Sequence, residues 1–345
     1  MPEAIARAPV RISFAGGGTD VSPYPEIYGG SVTAAAVLVD REQQQEVKVR
    51  MRQDSRIVIR STLRKDPIIM STEKLDWWGP LGFVIHAACP IWGHYPGCGF
   101  DAWLTPCVGH RSGLGGSGAM MVAAIAAFDA LLPEKQWPRV EGLANHAYDL
   151  EHNIIKNATG RQDQWLAALG GVQRLEFTLG GTTHYAVNVS NTTELKLMQG
   201  LMLFNLGARN DDSGDIIREQ AQRVRDENEA VIVAMMHTAR QTMPMAIALE
   251  AGNIPAVGEL LADLWEQKKK FHDKISNPRV DLIHEKLTKA GMIGGKVTGA
   301  GSGGHFLACC DESSRVKLLA AGEDLGLKYV PFRFARNGVT VSVSE

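Results

Sequence analysis

Several protein classes are excluded by what this chain lacks. It has only five cysteines in 345 residues: Cys89, Cys98, Cys107, Cys309 and Cys310. The number is odd and no C-x-x-C occurs, so neither a disulfide framework nor a zinc ribbon is expected, and a reduced, cytoplasmic setting fits. No stretch of 18 apolar residues is present, so no membrane span and no membrane partner are expected. The opening "MPEAIARAPVRIS" has no apolar signal-peptide core. None of the ten histidines forms an H-x-x-x-H pair, which removes a common helical zinc site. Lys and Arg total 36 against 38 for Asp and Glu, and the longest basic run is "KKK" at 268–270, inside the helical "LLADLWEQKKKFH". Nucleic acid is therefore not an expected partner. No G-x-x-x-x-G-K-[ST] loop occurs, so a Walker A nucleotide site is excluded.

Glycine is abundant, at 36 residues, and it is concentrated in three places. Between them the hydrophobic pattern alternates in type. "RAPVRISFA", "SVTAAAVLV", "QQQEVKVRMR" and "RIVIRST" read as strands and predict an antiparallel sheet near the N-terminus. "PLGFVIHAACPIWG" reads as a helix and "GCGFDAWLTPCV" as a strand. "SGAMMVAAIAAFDALL", interrupted only by Asp129, reads as a helix buried on nearly every side. "RVEGLANHAYDLEHNII" and "RQDQWLAALGG" continue as helices. "GGVQRLEFTLGG", "THYAVNV" and "LMQGLMLFNLG" return to strands. Helical patterns then run from about 213 to 251 and from 254 to 271, and "VTVSVSE" alternates at the end. A soft domain boundary is expected around the polar "SNTTE", giving an N-terminal domain over 1–195 and a C-terminal domain over 196–345.

The first glycine cluster lies in "RISFAGGGTD", 11–20, where a strand stops in Gly16, Gly17 and Gly18. It is not a dinucleotide fingerprint, because the third glycine position is Val21. Close approach of a ligand to the backbone and a plain tight turn are both open readings. The second cluster, "GHRSGLGGSGA" at 109–119, follows a strand and opens into the buried helix. Glycine loops at helix N-termini expose N–H groups to anions, so Gly109, Arg111, Ser112, Gly113, Leu114, Gly115, Gly116, Ser117 and Gly118 read as a phosphate cradle. Ser117 reads as an N-cap, a Mg²⁺ ligand, or both. The third cluster, "GGKVTGAGSGGHF", has six glycines in the eleven residues 294–304. It indicates backbone packed closely against a ligand or another segment. Between the second and third, "DLEHNIIKNATGRQDQW" carries Glu151 and Asp163. Such a carboxylate pair divides naturally into a metal ligand and a proton acceptor. Capping is the competing reading for Asp163.

"APVRISFAGGGTD", "GLGGSGA" and "KVTGAGSGGHF" resemble, in order and spacing, the three motifs of the GHMP kinases. Within that family "RISFAGGGTD" and "GRQDQWLAALGG" look most like the D-glycero-D-manno-heptose 7-phosphate kinases. The usual G-L-G-S-S-[SA]-A is altered here at Gly116 and Gly118.

The resemblance implies an α+β fold, with a ribosomal protein S5 domain 2-like N-terminal domain and a ferredoxin-like C-terminal domain. It implies ATP and Mg²⁺ as cofactors and a small-molecule sugar phosphate as partner, and it leaves a homodimer open. Arg11 falls near the transferred phosphoryl group and Asp163 at the base. Ser117 and Glu151 match the Mg²⁺ ligands, and Asp20 matches an aspartate that holds sugar hydroxyls. Gly17, Gly18, Thr19, Gly301 and Ser302 join the expected substrate contacts. Arg209, in "NLGARNDDSGDIIREQ", reads as a clamp for a distal phosphate or as a partner of Asp211 or Asp212. The expected reaction carries the ATP γ-phosphoryl to the anomeric hydroxyl of heptose 7-phosphate. The 1,7-bisphosphate formed would serve nucleotide-activated heptose and surface polysaccharide synthesis. A GHMP kinase for another sugar or sugar phosphate is the alternative, and so is a non-catalytic binding protein of the same fold.

Overall fold

The structure is a computed structural model that describes residues 1–40, 42–109, 111–137, 139–207 and 213–344. Its first strands are β1 (Glu3–Ala8), β2 (Val10–Ala15), β3 (Gly30–Val39), β4 (Gln45–Met51), β5 (Arg56–Ser61), β6 (Ile68–Ser71) and β7 (Phe100–Thr105). β8 (Val172–Thr178), β9 (Gly181–Val187) and β10 (Leu201–Gly207) follow the central helices. β11 (Met292–Val297), β12 (Gly304–Cys310), β13 (Lys328–Tyr329), β14 (Phe332–Phe334) and β15 (Thr340–Ser344) complete the set.

Alternation decides which faces are buried. In β1 and β4 every second residue is buried, and both strands lie in a six-stranded sheet of order β15-β1-β4-β7-β5-β6. This sheet is antiparallel except where β5 meets β7. Its inner face is covered by the Gly116–Asp129 helix, buried from Gly118 to its end. Asp129, the one charge in that run, accepts hydrogen bonds from the backbone N–H of Gln136 and Trp137, which accounts for its tolerance there. A second sheet places β3 against β2, β8 and β14. A third, β11-β12-β10-β13, is antiparallel and carries its own core of Phe204, Trp265, Phe271 and Phe306.

The α+β character is as expected, but several elements differ from the sequence reading. "SNTTE" is the start of the Asn191–Gly200 helix, capped by Ser190, whose hydroxyl accepts from Thr193 N–H at 3.1 Å. The 213–251 pattern breaks into Ser213–Arg225, Glu229–Arg240 and Thr242–Ala251. The chain also returns: β14 pairs with β3, and β15 pairs with β1, Glu3 opposite Ser344. These pairings cross the division expected at 195. The five cysteines are all free thiols. Among the described residues no helix is long and apolar enough to cross a membrane.

Candidate active site

β2 places Arg11 and Ser13 on one side and Ile12 on the other, as the strand pleat requires. Arg11 is 5 % exposed. Its main-chain N–H donates to Leu114 O at 2.8 Å, so the second glycine loop lies directly against the strand. Its guanidinium donates to Asp163 Oδ1 from Nε at 2.7 Å and to Gly113 O from Nη1 at 2.5 Å, and Nη2 also lies 2.7 Å from Asp163 Oδ1. Asp163 is the second residue of the Gln162–Leu169 helix, and no side chain of that helix caps its own start. The capping reading of Asp163 is therefore replaced by an ion pair with Arg11.

Glycine allows this pair to sit under the loop. Gly115 is the N-cap of the Gly116–Asp129 helix with φ +72°, and a Cβ there would stand 3.0 Å from Asp163 Cγ and 3.1 Å from Arg11 Cγ. Because Gly115 holds the cap position without a side-chain bond, Ser117 is not the N-cap. Ser117 is exposed, and its side chain hydrogen-bonds to Glu151. Gly109 and Arg111 lie exposed at the start of the loop, while Ser112 and Leu114 are buried in it. Glu151 sits in a π-helical turn, Leu150–Ile154, the kind of local irregularity frequent at functional sites. It is buried and also accepts from Gln164 Nε2 at 2.7 Å. Burial, with a smaller contribution from Asp163, pushes its carboxyl up to about 7, against the opposing hydrogen bond of Ser117.

The third glycine cluster is explained by another segment. A Cβ on Gly299 would stand 2.6 Å from Gly113 Cα, and one on Gly304 would stand 2.5 Å from Ser112 O. His305 Nδ1 lies 2.8 Å from Ser112 O, and Lys268 Nζ donates to Gly299 O. The two loops therefore pack backbone on backbone. Gly301 and Ser302 pack against Ile275, whose carbonyl accepts from Ser302 N–H at 2.8 Å. Beside Ser302 a cavity of about 460 Å³ is lined in part by Leu206, Lys274, Asn277 and Arg279, and does not include Arg11, Asp163 or Glu151.

The first turn needs correction. Gly16 has φ +82°, and a Cβ there would collide with the Ser31 carbonyl, so this glycine makes room for the protein's own backbone. Thr19 is fully buried, and its hydroxyl is within bonding distance of Gly16 O, Ser31 O and Ser31 N–H. It is closed to a sugar hydroxyl. Asp20 is 1 % exposed and accepts from Gly18 N–H, Gln162 N–H and Gln162 Nε2 at 3.0–3.1 Å. It thereby ties the turn to the start of the helix that carries Asp163. Burial raises its carboxyl above the ordinary range. Gly17 and Gly18 remain partly exposed. Among the described residues Ser13 Oγ and Gln162 Oε1, both buried, have no hydrogen-bond partner. Arg209 lies outside the described residues.

Sequence reading missed Lys296, in β11. It is 3 % exposed, its Nζ donates to Phe14 O at 2.9 Å, and burial followed by the Arg11 charge pushes it down to about 7. A lone lysine in the apolar, glycine-rich "MIGGKVTG" was the available signal.

Residues 83–171 match the family described as GHMP kinases N terminal domain, and residues 245–324 match GHMP kinases C terminal. A Campylobacter jejuni D-glycero-alpha-D-manno-heptose 7-phosphate kinase is 25% identical, over 96% of this chain and 97% of its own. A Bacteroides fragilis L-fucokinase/L-fucose-1-P guanylyltransferase is 25% identical over 90% of this chain, which spans 35% of that longer protein. Among solved structures, a D-glycero-D-manno-heptose 1-phosphate kinase from Bacteroides thetaiotaomicron superposes with a TM-score of 0.77 at 22% identity, covering 98% of each chain.

Proposed function

Because the chain belongs to the GHMP kinases, an ATP-dependent family, we propose that it is a sugar kinase acting on the anomeric hydroxyl of D-glycero-D-manno-heptose 7-phosphate. The observation that carries the reading is the Arg11–Asp163 pair held beneath a glycine loop at a helix N-terminus. Asp163 would accept the acceptor's proton. Arg11 fixes that carboxylate and offsets charge on the transferring group, and the N–H groups of the loop meet the nucleotide phosphates.

Ser117 and Glu151 would hold Mg²⁺. A buried carboxylate pushed up to about 7 and joined to an exposed serine fits a cation. Among the described residues no group of three or more His, Cys, Asp or Glu could hold a metal unaided, so phosphate oxygens would complete the shell, as is usual for Mg²⁺. The ion would neutralise charge on the phosphates.

The test is ADP release over a panel of heptose 7-phosphate, heptose 1-phosphate, free heptose and L-fucose, with the phosphorylated position read by ³¹P NMR. Turnover confined to heptose 7-phosphate with a new anomeric phosphate supports the proposal. The fucokinase match favours the one alternative of note, in which an unphosphorylated sugar is the better acceptor. A higher kcat/KM on free heptose or fucose would establish it.

A further inference from the structure

We infer that Lys296 is a positioning residue for phosphoryl transfer: it holds the slipped end of β2 through the Phe14 carbonyl and so sets how Arg11 meets Asp163. The inference rests on the kinase reading above. Its first ground is the pairing of β2 with β3, which runs in step to Ser13 opposite Ala34 and resumes with Ala15 opposite Thr33. Phe14 is therefore one residue too many for the ladder. An extra residue bends its strand and re-aims the neighbouring side chains. The slip falls three residues after Arg11 and two before Gly16. Its geometry decides how the guanidinium and the glycine turn lie relative to each other.

Phe14 is fixed from two directions. Its ring is fully buried, edge-on to Phe334 with centroids 6.3 Å apart. Its carbonyl accepts from Lys296 Nζ at 2.9 Å, from a strand of the other core, 282 residues further along the chain. β11 then runs directly into Thr298 and Gly299, which pack on Gly113. Gly113 O is the second acceptor of the Arg11 guanidinium. One strand thus supports both the end of β2 and the loop against which Arg11 rests.

The charge is the second ground. Among the described residues Lys296 forms no ion pair with a carboxylate, and the Arg11 cation acts with burial to disfavour its charge. A buried ammonium set beside another cation is costly, and methionine would fill the same space without that cost. A donor reaching a main-chain oxygen is what lysine adds.

The experiment is a double-mutant cycle with Lys296→Met, Arg11→Gln and the pair, plus Lys296→Arg as the variant that keeps a donor. The expected result is a kcat loss of ~10-fold for Lys296→Met with KM for ATP within ~2-fold, and no further loss when it is added to Arg11→Gln, the mark of residues acting as one unit. Lys296→Arg should recover most of the loss. Independently of activity, hydrogen exchange at the Gly16–Thr19 amides should speed up by ~5-fold or more in Lys296→Met, because the turn loses its anchor. A wild-type kcat for Lys296→Met, a loss that multiplies with that of Arg11→Gln, or unchanged exchange at Gly16–Thr19 would each overturn the inference. If Lys296→Met does not fold, Lys296→Gln takes its place in the cycle and in the exchange measurement. A wild-type protein inactive on the whole sugar panel refutes the kinase reading instead, and the exchange result still decides the role of Lys296.

Discussion

Asp163 and Asp101 both meet arginine, in opposite surroundings. Asp101, on β7, faces three guanidinium groups, those of Arg50, Arg52 and Arg60, at 3.4, 3.0 and 3.1 Å. Arg50 and Arg60 also lie over the Trp103 ring, beside Lys48, forming a mat of charge on the outer face of the first sheet. Burial pushes the Asp101 carboxyl up, but the hydrogen bonds from Arg60, Arg52 and Arg50 outweigh it and the net shift is down. Asp163 has one arginine, whose side chain is only 6 % exposed. By number of cations Asp101 is the stronger site. What separates them is absent bulk: Gly115 and Gly118 bring a helix start and open backbone against Asp163, and Asp101 has no such neighbours. Chemistry is indicated by the space left beside a charge and by the donors aimed at it.

The contrast can be broken at either end. Asp163→Asn keeps the shape and removes the proton acceptor, so kcat should fall by at least ~10²-fold with nucleotide affinity little changed. Steady-state kinetics together with nucleotide titration would check this, and wild-type turnover would return Asp163 to a structural role. Arg11→Lys should be less severe, ~10-fold or more in kcat, because an ammonium cannot serve Asp163 and the Gly113 carbonyl from one planar fork. A lysine variant with full kcat would show that only charge matters at that position.

Glu151→Gln sharpens the comparison through pH. In metal-free protein the wild-type carboxyl stays protonated up to about 7, while the unfolded chain loses that proton in the ordinary carboxylate range. The folded form therefore binds more protons between those limits, and wild-type stability falls as pH rises through them. The glutamine variant escapes that decline. It should be more stable at pH 8 by about 1–3 kcal/mol and indistinguishable near pH 4, as denaturant melts at the two pH values would report. Its Mg²⁺-supported turnover should drop by ~10-fold or more. Asp101→Asn is the control with the smallest effect. Its lowered carboxyl contributes stability above the ordinary carboxylate range that is lost only in acid, so the variant should lose about 1 kcal/mol at neutral pH and nothing at low pH. Its kcat should match wild type, and a large kcat loss would dissolve the distinction drawn here.

The sequence showed which segments would be glycine-rich but not what each glycine faces. Alternation in "QEVKVRM" and the 117–132 run, broken only by Asp129, are local patterns that led to correct elements, whereas "RAPVRISFA", read as one strand, is the end of β1 and the whole of β2. Thr19 and Asp20 were misjudged because their partners, Ser31, Gly160 and Gln162, are brought in by tertiary contacts that no local pattern records. Lys296 was passed over for the same reason, since its meaning depends on Phe14, far away in the chain. Arg11 and Ser117 lie in the ordered motifs, while Glu151 and Asp163 stand out as a carboxylate pair across a turn-like segment and by the family resemblance; the structure joins Arg11 to Asp163 and Ser117 to Glu151. "VTVSVSE" was legible as a strand, while its partner was not.

That partner has a bearing on how the protein is made. β1 lies between β4 and β15, and β15 is synthesised long after it, since Glu3 pairs with Ser344. Until β15 is made, the first strand has one side of its ladder open, an invitation to pair with a neighbouring nascent chain. Glu3 and Arg7 of "EAIARA", paired with Lys48 and Glu46 in the folded sheet, put on that strand the charges that discourage edge-to-edge pairing.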